Sequence, residues 1–316
     1  MRLNSGSTLL WKAYFALPPA MRVTLRSWLK GGSGHTSSLF NSMIAKRNAR
    51  GKCRVDKTAV LICRYLSASG LAPIEGRRCL ELGTGYVGAT PVVMWLLGAA
   101  AVTSIDLNRL LVLDALKESI RLTDRVELRN VLKPYVTSER ALETRLVRMY
   151  AWLDSNPKTL PEGISYLAPC DLLTYEFKSP FDLIFSVSTL EHIPRTIVGP
   201  FIQRMASVLA KDGVCLHAID LSDHLDSAHD PLGFLAANCT DYCEDSNADS
   251  RGNRIRSAEW LNIFSASGLT ASVVGSEHAS CSQLPERLAD PFDRMAKEDL
   301  LLTSVLIRSH KGSVMP

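Results

Sequence analysis

The stretch His217-Ala-Ile-Asp-Leu-Ser-Asp-His224, continuing to Asp226, His229 and Asp230, sets seven ionisable side chains within fourteen residues. It follows the apolar run Val214 to Ile219, which has strand character, so Asp220 falls at a strand end and Asp223, His224 and His229 in the loop beyond it. Carboxylates beside imidazoles can do two kinds of chemistry. An imidazole near its ordinary pKa, oriented by a carboxylate, is a general base at neutral pH. Alternatively, Asp220, Asp223 and His224 would ligate a divalent cation such as magnesium that holds a diol. The base is the preferred reading; a turn-and-cap network without chemistry also suits Asp and Ser at these positions. A second pair, Glu191-His192, follows the apolar run beginning at Phe181 and offers His192 as another base, while a structural or cofactor-shell role is the preferred reading for Glu191. Arg254 and Arg256, in Asn253-Arg-Ile-Arg256 ahead of a capped helix start, join His229 as substrate-binding candidates, since guanidinium groups suit a phosphate or carboxylate. A salt bridge at the helix entry is the alternative for the two arginines.

These groups need a partner site, and residues 78 to 88 supply one: Arg-Cys-Leu-Glu-Leu-Gly-Thr-Gly-Tyr-Val-Gly is an apolar strand running into Gly83, Gly85 and Gly88 and then into an apolar helix from Pro91 to Leu97. Gly83 and Gly85 let the backbone turn tightly against a ligand, and Gly88 lets the helix pack on the strand. The next apolar run, Ala101 to Ile105, ends in Asp106, where a carboxylate can take both hydroxyls of a ribose. Such a site holds adenosine. The spacing alone also fits nicotinamide cofactors, but Glu81, on the strand just before the glycines, is badly placed for a pyrophosphate and well placed for an ammonium group.

With an acidic residue followed by Gly-x-Gly, the sequence resembles the class I S-adenosylmethionine-dependent methyltransferases over about residues 70–310. Asp171 with Leu172 resembles the family's acid after the third strand, which implies a contact with the adenine amino group. Phe181-Asp-Leu-Ile-Phe-Ser-Val-Ser-Thr-Leu-Glu-His-Ile193 resembles its fourth strand and the Leu-Glu-His-Ile ending. The resemblance implies S-adenosylmethionine as cofactor, bound by Glu81, Gly83, Thr84, Gly85, Gly88, Asp106, Leu107, Asp171, Leu172 and Ser186, with a helix over residues 58–71 as a lid. It implies methyl transfer, in which an alcohol acceptor gains from a base, so His192, Asp220, Asp223 and His224 are the catalytic candidates. The Asp-x-x-Asp-His loop with Asn-Arg-x-Arg further resembles a branch found among glycan and polysaccharide genes. That points to O-methylation of a sugar or other small-molecule hydroxyl. Transfer of the aminocarboxypropyl group from the same cofactor and a non-catalytic scaffold are the competing readings. A nicotinamide-dependent oxidoreductase lacks a Tyr-x-x-x-Lys pair here.

The elements that must position these groups alternate from Arg77 onward, predicting a Rossmann-like, mostly parallel seven-stranded sheet with helices on both faces. Strands are expected at 78–82, 102–106, 164–168, 181–186, 214–219, 270–274 and 301–308, the last two as the antiparallel hairpin that the resemblance implies. Insertions fall at about 123–161, with a helix over Glu139 to Leu153, and at 221–256; insertions at strand ends carry specificity. Residues 1–57 form a basic helical arm ahead of the domain over 58–316. Residues 1–58 hold eleven Lys and Arg against one acid, Asp56, although the net charge is only +4. Two short amphipathic helices broken at Pro18-Pro19, then a Gly/Ser connector over 31–38, are expected there. Such an arm suits packing on the domain, contact with a membrane surface or an anionic substrate, or an organelle-targeting segment.

With 46% hydrophobic and 22% charged residues the chain is of the soluble globular kind, and no apolar run is long enough to span a membrane. The eight scattered cysteines read as reduced, cytoplasmic usage, and Cys239 and Cys243 with His224 and His229 match no usual zinc spacing. Expected partners are a small-molecule or glycan acceptor and, as an open alternative, a second copy of the chain. Nucleic acid is disfavoured, because no Asn-Pro-Pro-Tyr-like motif is present and few aromatics interleave with the basic arm.

Overall fold

The computed structural model describes residues 35–238 and 250–312, together with 17, 18, 21, 242, 243 and 248. The two amphipathic helices expected before residue 31 lie for the most part outside the described residues, as does Cys239. Helix α1, His35–Arg50, begins inside the expected Gly/Ser connector, whose residues 31–34 lie outside the described ones. Ala45 and Ala49 of α1 are buried in the main core, and the Ser119 hydroxyl donates to the Cys53 carbonyl (2.9 Å). The described part of the arm is therefore packed on the domain.

Helix α2, Val55–Ser69, buries Ala59, Ile62 and Leu66 on one face, and Gly70 ends it in the left-handed conformation (φ 62°). Strand β1, Arg78–Leu82, leads to α3, Ala89–Leu96, and then β2, Ala101–Ile105. Helix α4, Leu113–Arg121, comes next, and the first insertion follows with α5, Arg125–Leu132, whose N-cap Asp124 accepts from the Val126 and Glu127 amides, and α6, Glu139–Asp154, capped by Ser138. The α6 helix is the one expected over 139–153, and its Leu142, Leu146, Met149 and Leu153 face the core. Strands β3, Ile164–Leu167, and β4, Phe181–Val187, are followed by α7, Arg195–Val208, and β5, Leu209–Asp220. Helix α8, Ser257–Ala266, strand β6, Leu269–His278, the short α9, Lys297–Leu300, and β7, Leu302–Lys311, complete the domain.

The seven strands form one sheet in the order β3-β2-β1-β4-β5-β7-β6. Strands β1 to β5 run parallel, and β7 lies antiparallel between β5 and β6. All seven strands fall where the sequence placed them, with shifts at their ends. One face packs on α1 to α6 through Cys79, Val102, Leu183, Phe185 and Leu216; the other packs on α7 and α8 through Leu80, Leu82, Ile184, Cys215 and Ile219. Burial on both faces explains why these strands read as unbroken apolar runs.

The chain builds outward from β1 to β3 and then returns to start β4 on the other side of β1. That reversal opens a crevice beyond the carboxyl ends of β1 and β4, the place where open α/β sheets bind ligands. The glycine turn and the Leu190-Glu-His192 turn both sit there by register, since Leu82 pairs with Ile105 and with Ser186. The second insertion forms a separate small core, with Leu232, Phe234, Leu235 and Tyr242 packed on Phe292 and Leu300.

Candidate active site

Gly83, Gly85 and Gly88 all have positive φ (80°, 64° and 69°), which a side chain would strain. At Gly83 space matters as well: an added Cβ would lie 2.3 Å from Thr189 Oγ1, which itself donates to the Leu82 carbonyl (3.0 Å). Nothing lies within 4 Å of a Cβ built at Gly85, so that residue faces open space above the sheet. The Asp106 carboxylate, at the end of β2, accepts the Gly85 amide and the Asn108 amide (3.0 Å each) and so holds the turn beside the second strand end. Leu107, next to it, is 65% exposed, an apolar side chain left uncovered at the rim. Asp171 is exposed at the end of β3, where its carboxylate caps the Leu173 amide (3.0 Å), and Leu172 is buried behind it. The strand order thus sets Gly85, Asp106 and Asp171 in a row along the ends of β1, β2 and β3, a cradle with open space at Gly85.

Three expected cofactor contacts, Glu81, Thr84 and Ser186, are engaged within the protein. Glu81 is buried beneath the glycine turn, where its carboxyl accepts from the Ser104 hydroxyl, which in turn meets Thr84 Oγ1. Burial pushes its pKa up to about 8, the hydrogen bond from Ser104 opposes the rise, and the Asp106 charge adds to it. Glu81 and Thr84 therefore tie β1 and the turn to β2 from within. Ser186 is also buried, its hydroxyl 2.8 Å from His217 Nδ1. Desolvation takes the His217 pKa down to about 3, so that ring is a neutral core group.

At the ends of β4 and β5 the structure brings Glu191, His192, Asp220 and His224 together. His224 Nε2 lies 3.3 Å from Asp220 Oδ2, and the His192 and His224 rings meet edge to face with centroids 4.9 Å apart. Asp220 Oδ1 accepts the Ser222 amide (2.9 Å) and hydroxyl (2.6 Å). Burial raises the Asp220 pKa, but His224 and Ser222 outweigh it and the net shift is downward, which keeps a carboxylate beside the imidazole. His192 is oriented by its Nδ1, 3.2 Å from the Ala248 carbonyl. Glu191 is 1% exposed, and neither carboxyl oxygen has a hydrogen-bond partner among the described residues. Burial, and then the Asp220 charge, hold its pKa well above the usual carboxylate range.

The other candidates stand apart. Asp223 is buried in an ion pair with Arg251, with Arg251 Nε donating at 3.0 Å, and it caps the Leu225 amide, so it pins the loop and faces no crevice. The His229 side chain is 83% exposed and pairs with Asp226 at 3.0 Å, outside the cluster. Arg254 is buried, donates to the Phe234 and Ala237 carbonyls (2.9 and 2.6 Å) and stacks over Tyr242 and Phe292. Arg256 is fully buried and donates to the carbonyls of Leu221, Asp299, Leu300 and Leu302. Desolvation lowers its pKa to about 10. Both arginines hold loop backbone together through their terminal nitrogens and are buried away from the crevice, which corrects the reading of them as phosphate ligands.

Two residues escaped the sequence reading. Asn253 Nδ2 donates to the Leu190 and Ile193 carbonyls (3.0 Å each) while its amide donates to the Glu191 carbonyl (2.8 Å), so the second insertion fixes the turn that carries Glu191 and His192. Tyr65 of α2 lines a small cavity together with Ser186 and Val187 of β4, which places the expected lid helix against the end of that strand. The Asn-Arg-x-Arg signal was visible as a motif, but its role as internal scaffolding was not.

The sheet order and the antiparallel final pair are those of the class I methyltransferase fold. No protein-family model and no curated protein matches the chain. Among solved structures it is similar to an S-adenosylmethionine-dependent methyltransferase from Mesorhizobium loti, with 15% identity, TM-score 0.42, and 81% of this chain and 98% of that one covered. It is also similar to magnesium protoporphyrin IX methyltransferase from Synechocystis with bound S-adenosylhomocysteine (12%, TM-score 0.41, 98% and 96%) and to the N-methyltransferase NodS from Bradyrhizobium japonicum (16%, TM-score 0.39, 82% and 97%). These are distant likenesses of fold, and the functional reading belongs to the side chains described above.

Proposed function

We propose that the protein is an S-adenosylmethionine-dependent methyltransferase acting on the hydroxyl of a small molecule, with a sugar as the preferred acceptor class. The observation that carries the cofactor is the cradle: three left-handed glycines, open space at Gly85, and Asp106 bound to the Gly85 amide at the switch point of the sheet. S-adenosylmethionine, when bound, supplies a methyl group on a sulfonium. Asp106 would take the ribose hydroxyls, Asp171 the adenine amino group, and Leu107 would cover the ring. Glu81, engaged with Ser104, shapes the turn from below.

Asp220 and His224 support the hydroxyl reading. The acceptor proton would pass to the imidazole of His224 as the oxygen takes the methyl group, and the Asp220 carboxylate at 3.3 Å would stabilise the resulting imidazolium. His192, edge to face with His224, would hold the acceptor on the other side. Among the described residues no helix is long and apolar enough to cross a membrane.

Calorimetric titration of the purified chain with S-adenosylmethionine and S-adenosylhomocysteine is the test. Micromolar binding of both is expected, and Gly85→Arg should abolish it by filling the space where the ligand meets backbone. No binding to the parent chain, or unchanged binding in the variant, would overturn the cofactor site.

A further inference from the structure

The Leu190-Glu-His192 turn and the loop after β5 converge on a donor set that the base chemistry does not exhaust. One ligand atom each from Glu191, His192 and His224 lies within 4.8 Å of the others. The Glu191 carboxyl, one of the three, is 1% exposed, and both its oxygens are without a hydrogen-bond partner among the described residues. The backbone amides of Glu191 and Asp220 approach it without hydrogen-bonding geometry. A buried carboxyl left this way is expensive, and the two adjacent imidazoles do not hydrogen-bond to it either. A proton shared among the three does not describe the arrangement. A cation drawn in between three ligand atoms that lie within 4.8 Å of one another would satisfy all of them.

We infer that Glu191, His192 and His224 form a binding site for a first-row divalent transition metal, with one carboxylate oxygen and one nitrogen from each imidazole as ligands. Two imidazoles and a carboxylate suit zinc, manganese, iron(II) or cobalt; magnesium and calcium favour all-oxygen shells. Outer contacts of the kind metal centres use are in place. Nδ1 of His192 is fixed on the Ala248 carbonyl, and Asp220 Oδ2 stands 3.3 Å from His224 Nε2, a carboxylate beside a ligating ring. Three protein ligands leave coordination positions open toward the crevice, the pattern of a reactive rather than a structural site. The site differs from the Asp220, Asp223 and His224 set that spacing alone suggested, because Asp223 is committed to Arg251.

This deepens the proposed hydroxyl reading, rests on it for its use, and changes its base: an ion here would bind the acceptor's hydroxyl or a vicinal diol and lower its pKa, His224 would ligate the ion instead of taking the proton, and Asp220 would be the nearby proton acceptor. Binding of the metal itself does not depend on that reading. The experiment is titration of untagged, chelator-stripped protein with cobalt(II), followed by visible absorption and calorimetry, with magnesium as a competitor. One equivalent of cobalt with visible bands of nitrogen and oxygen ligation, not displaced by magnesium, is expected. Glu191→Gln and His224→Gln should each weaken it at least about a hundredfold, while the surface variant His310→Gln retains it. Near-UV circular dichroism and S-adenosylhomocysteine titration of the same stripped samples report folding and the cofactor site separately. Lack of stoichiometric cobalt binding by folded parent protein overturns the metal site, and so does binding that both folded ligand variants retain. If both variants fail to fold, the parent's cobalt spectrum decides by itself: a spectrum without nitrogen ligation overturns the site. Failure of S-adenosylhomocysteine alone would instead count against the methyltransferase reading.

Discussion

At the scale of single residues, the same side-chain types serve opposite ends according to what surrounds them. Asp220 and Asp223 sit three positions apart, yet one faces an imidazole at the crevice and the other is saturated by Arg251 inside the loop. Asp220→Asn should lower turnover about a hundredfold with cofactor affinity kept, because a neutral amide cannot support the imidazolium; joint loss of turnover and affinity in calorimetry would mark a structural role instead. Arg256 shows the converse. Its guanidinium donates to four backbone carbonyls around α9 and the start of β7. Arg256→Met should therefore destabilise the fold by about 3 kcal/mol in urea unfolding, since buried carbonyls lose their donors. A variant of unchanged stability that raised only the acceptor KM would restore the phosphate reading.

At the scale of elements, the site depends on two turns being pressed together. Thr189 fills the room that a Cβ at Gly83 would need and bonds the carbonyl at the end of β1. Gly83→Ala should weaken S-adenosylhomocysteine binding by at least about tenfold, as a left-handed residue with a side chain costs about 1–2 kcal/mol even before the contact with Thr189 is counted. Equal affinity for the parent and the variant would show that the turn can shift freely. The second insertion acts at the same scale: Asn253 bridges to the Leu190 and Ile193 carbonyls and so sets the angle at which Glu191 and His192 enter the crevice.

At the scale of the whole molecule, neutral ionisable groups are stored between the sheet and its helices, and they give the fold a pH signature. His217 is buried with Ser186 and near Phe264, with a pKa brought from 6.5 down to about 3. Between those values the unfolded chain binds a proton that the folded chain does not, so this residue's contribution falls as pH drops below 6.5 and is spent near pH 3. The loss from this one group is about 2 kcal/mol by pH 5. Glu81 works in the opposite sense, its raised pKa favouring the fold at low pH, so the parent's total slope mixes both. The clean comparison is His217→Gln, which keeps a partner for the Ser186 hydroxyl. Its unfolding free energy should decline less than the parent's between pH 7 and pH 5, and parallel curves would refute the assignment.

The sequence by itself determined the sheet and the cradle. Apolar runs of strand length, glycines at a strand end and an acid at the next strand end are local signals, and local sterics and burial on two faces leave them little freedom. All seven strands and the turn at Gly83 to Gly88 were legible for that reason. The tertiary structure alone decided which polar groups share a space. Arg254 and Arg256 look the same in sequence as anion-binding arginines, and only the closure of the 221–256 loop over its own small core shows their donors turned inward. Likewise Glu191 and His224 are separated by a helix and a strand in the chain, and they meet only because β4 and β5 lie side by side and end at the same level.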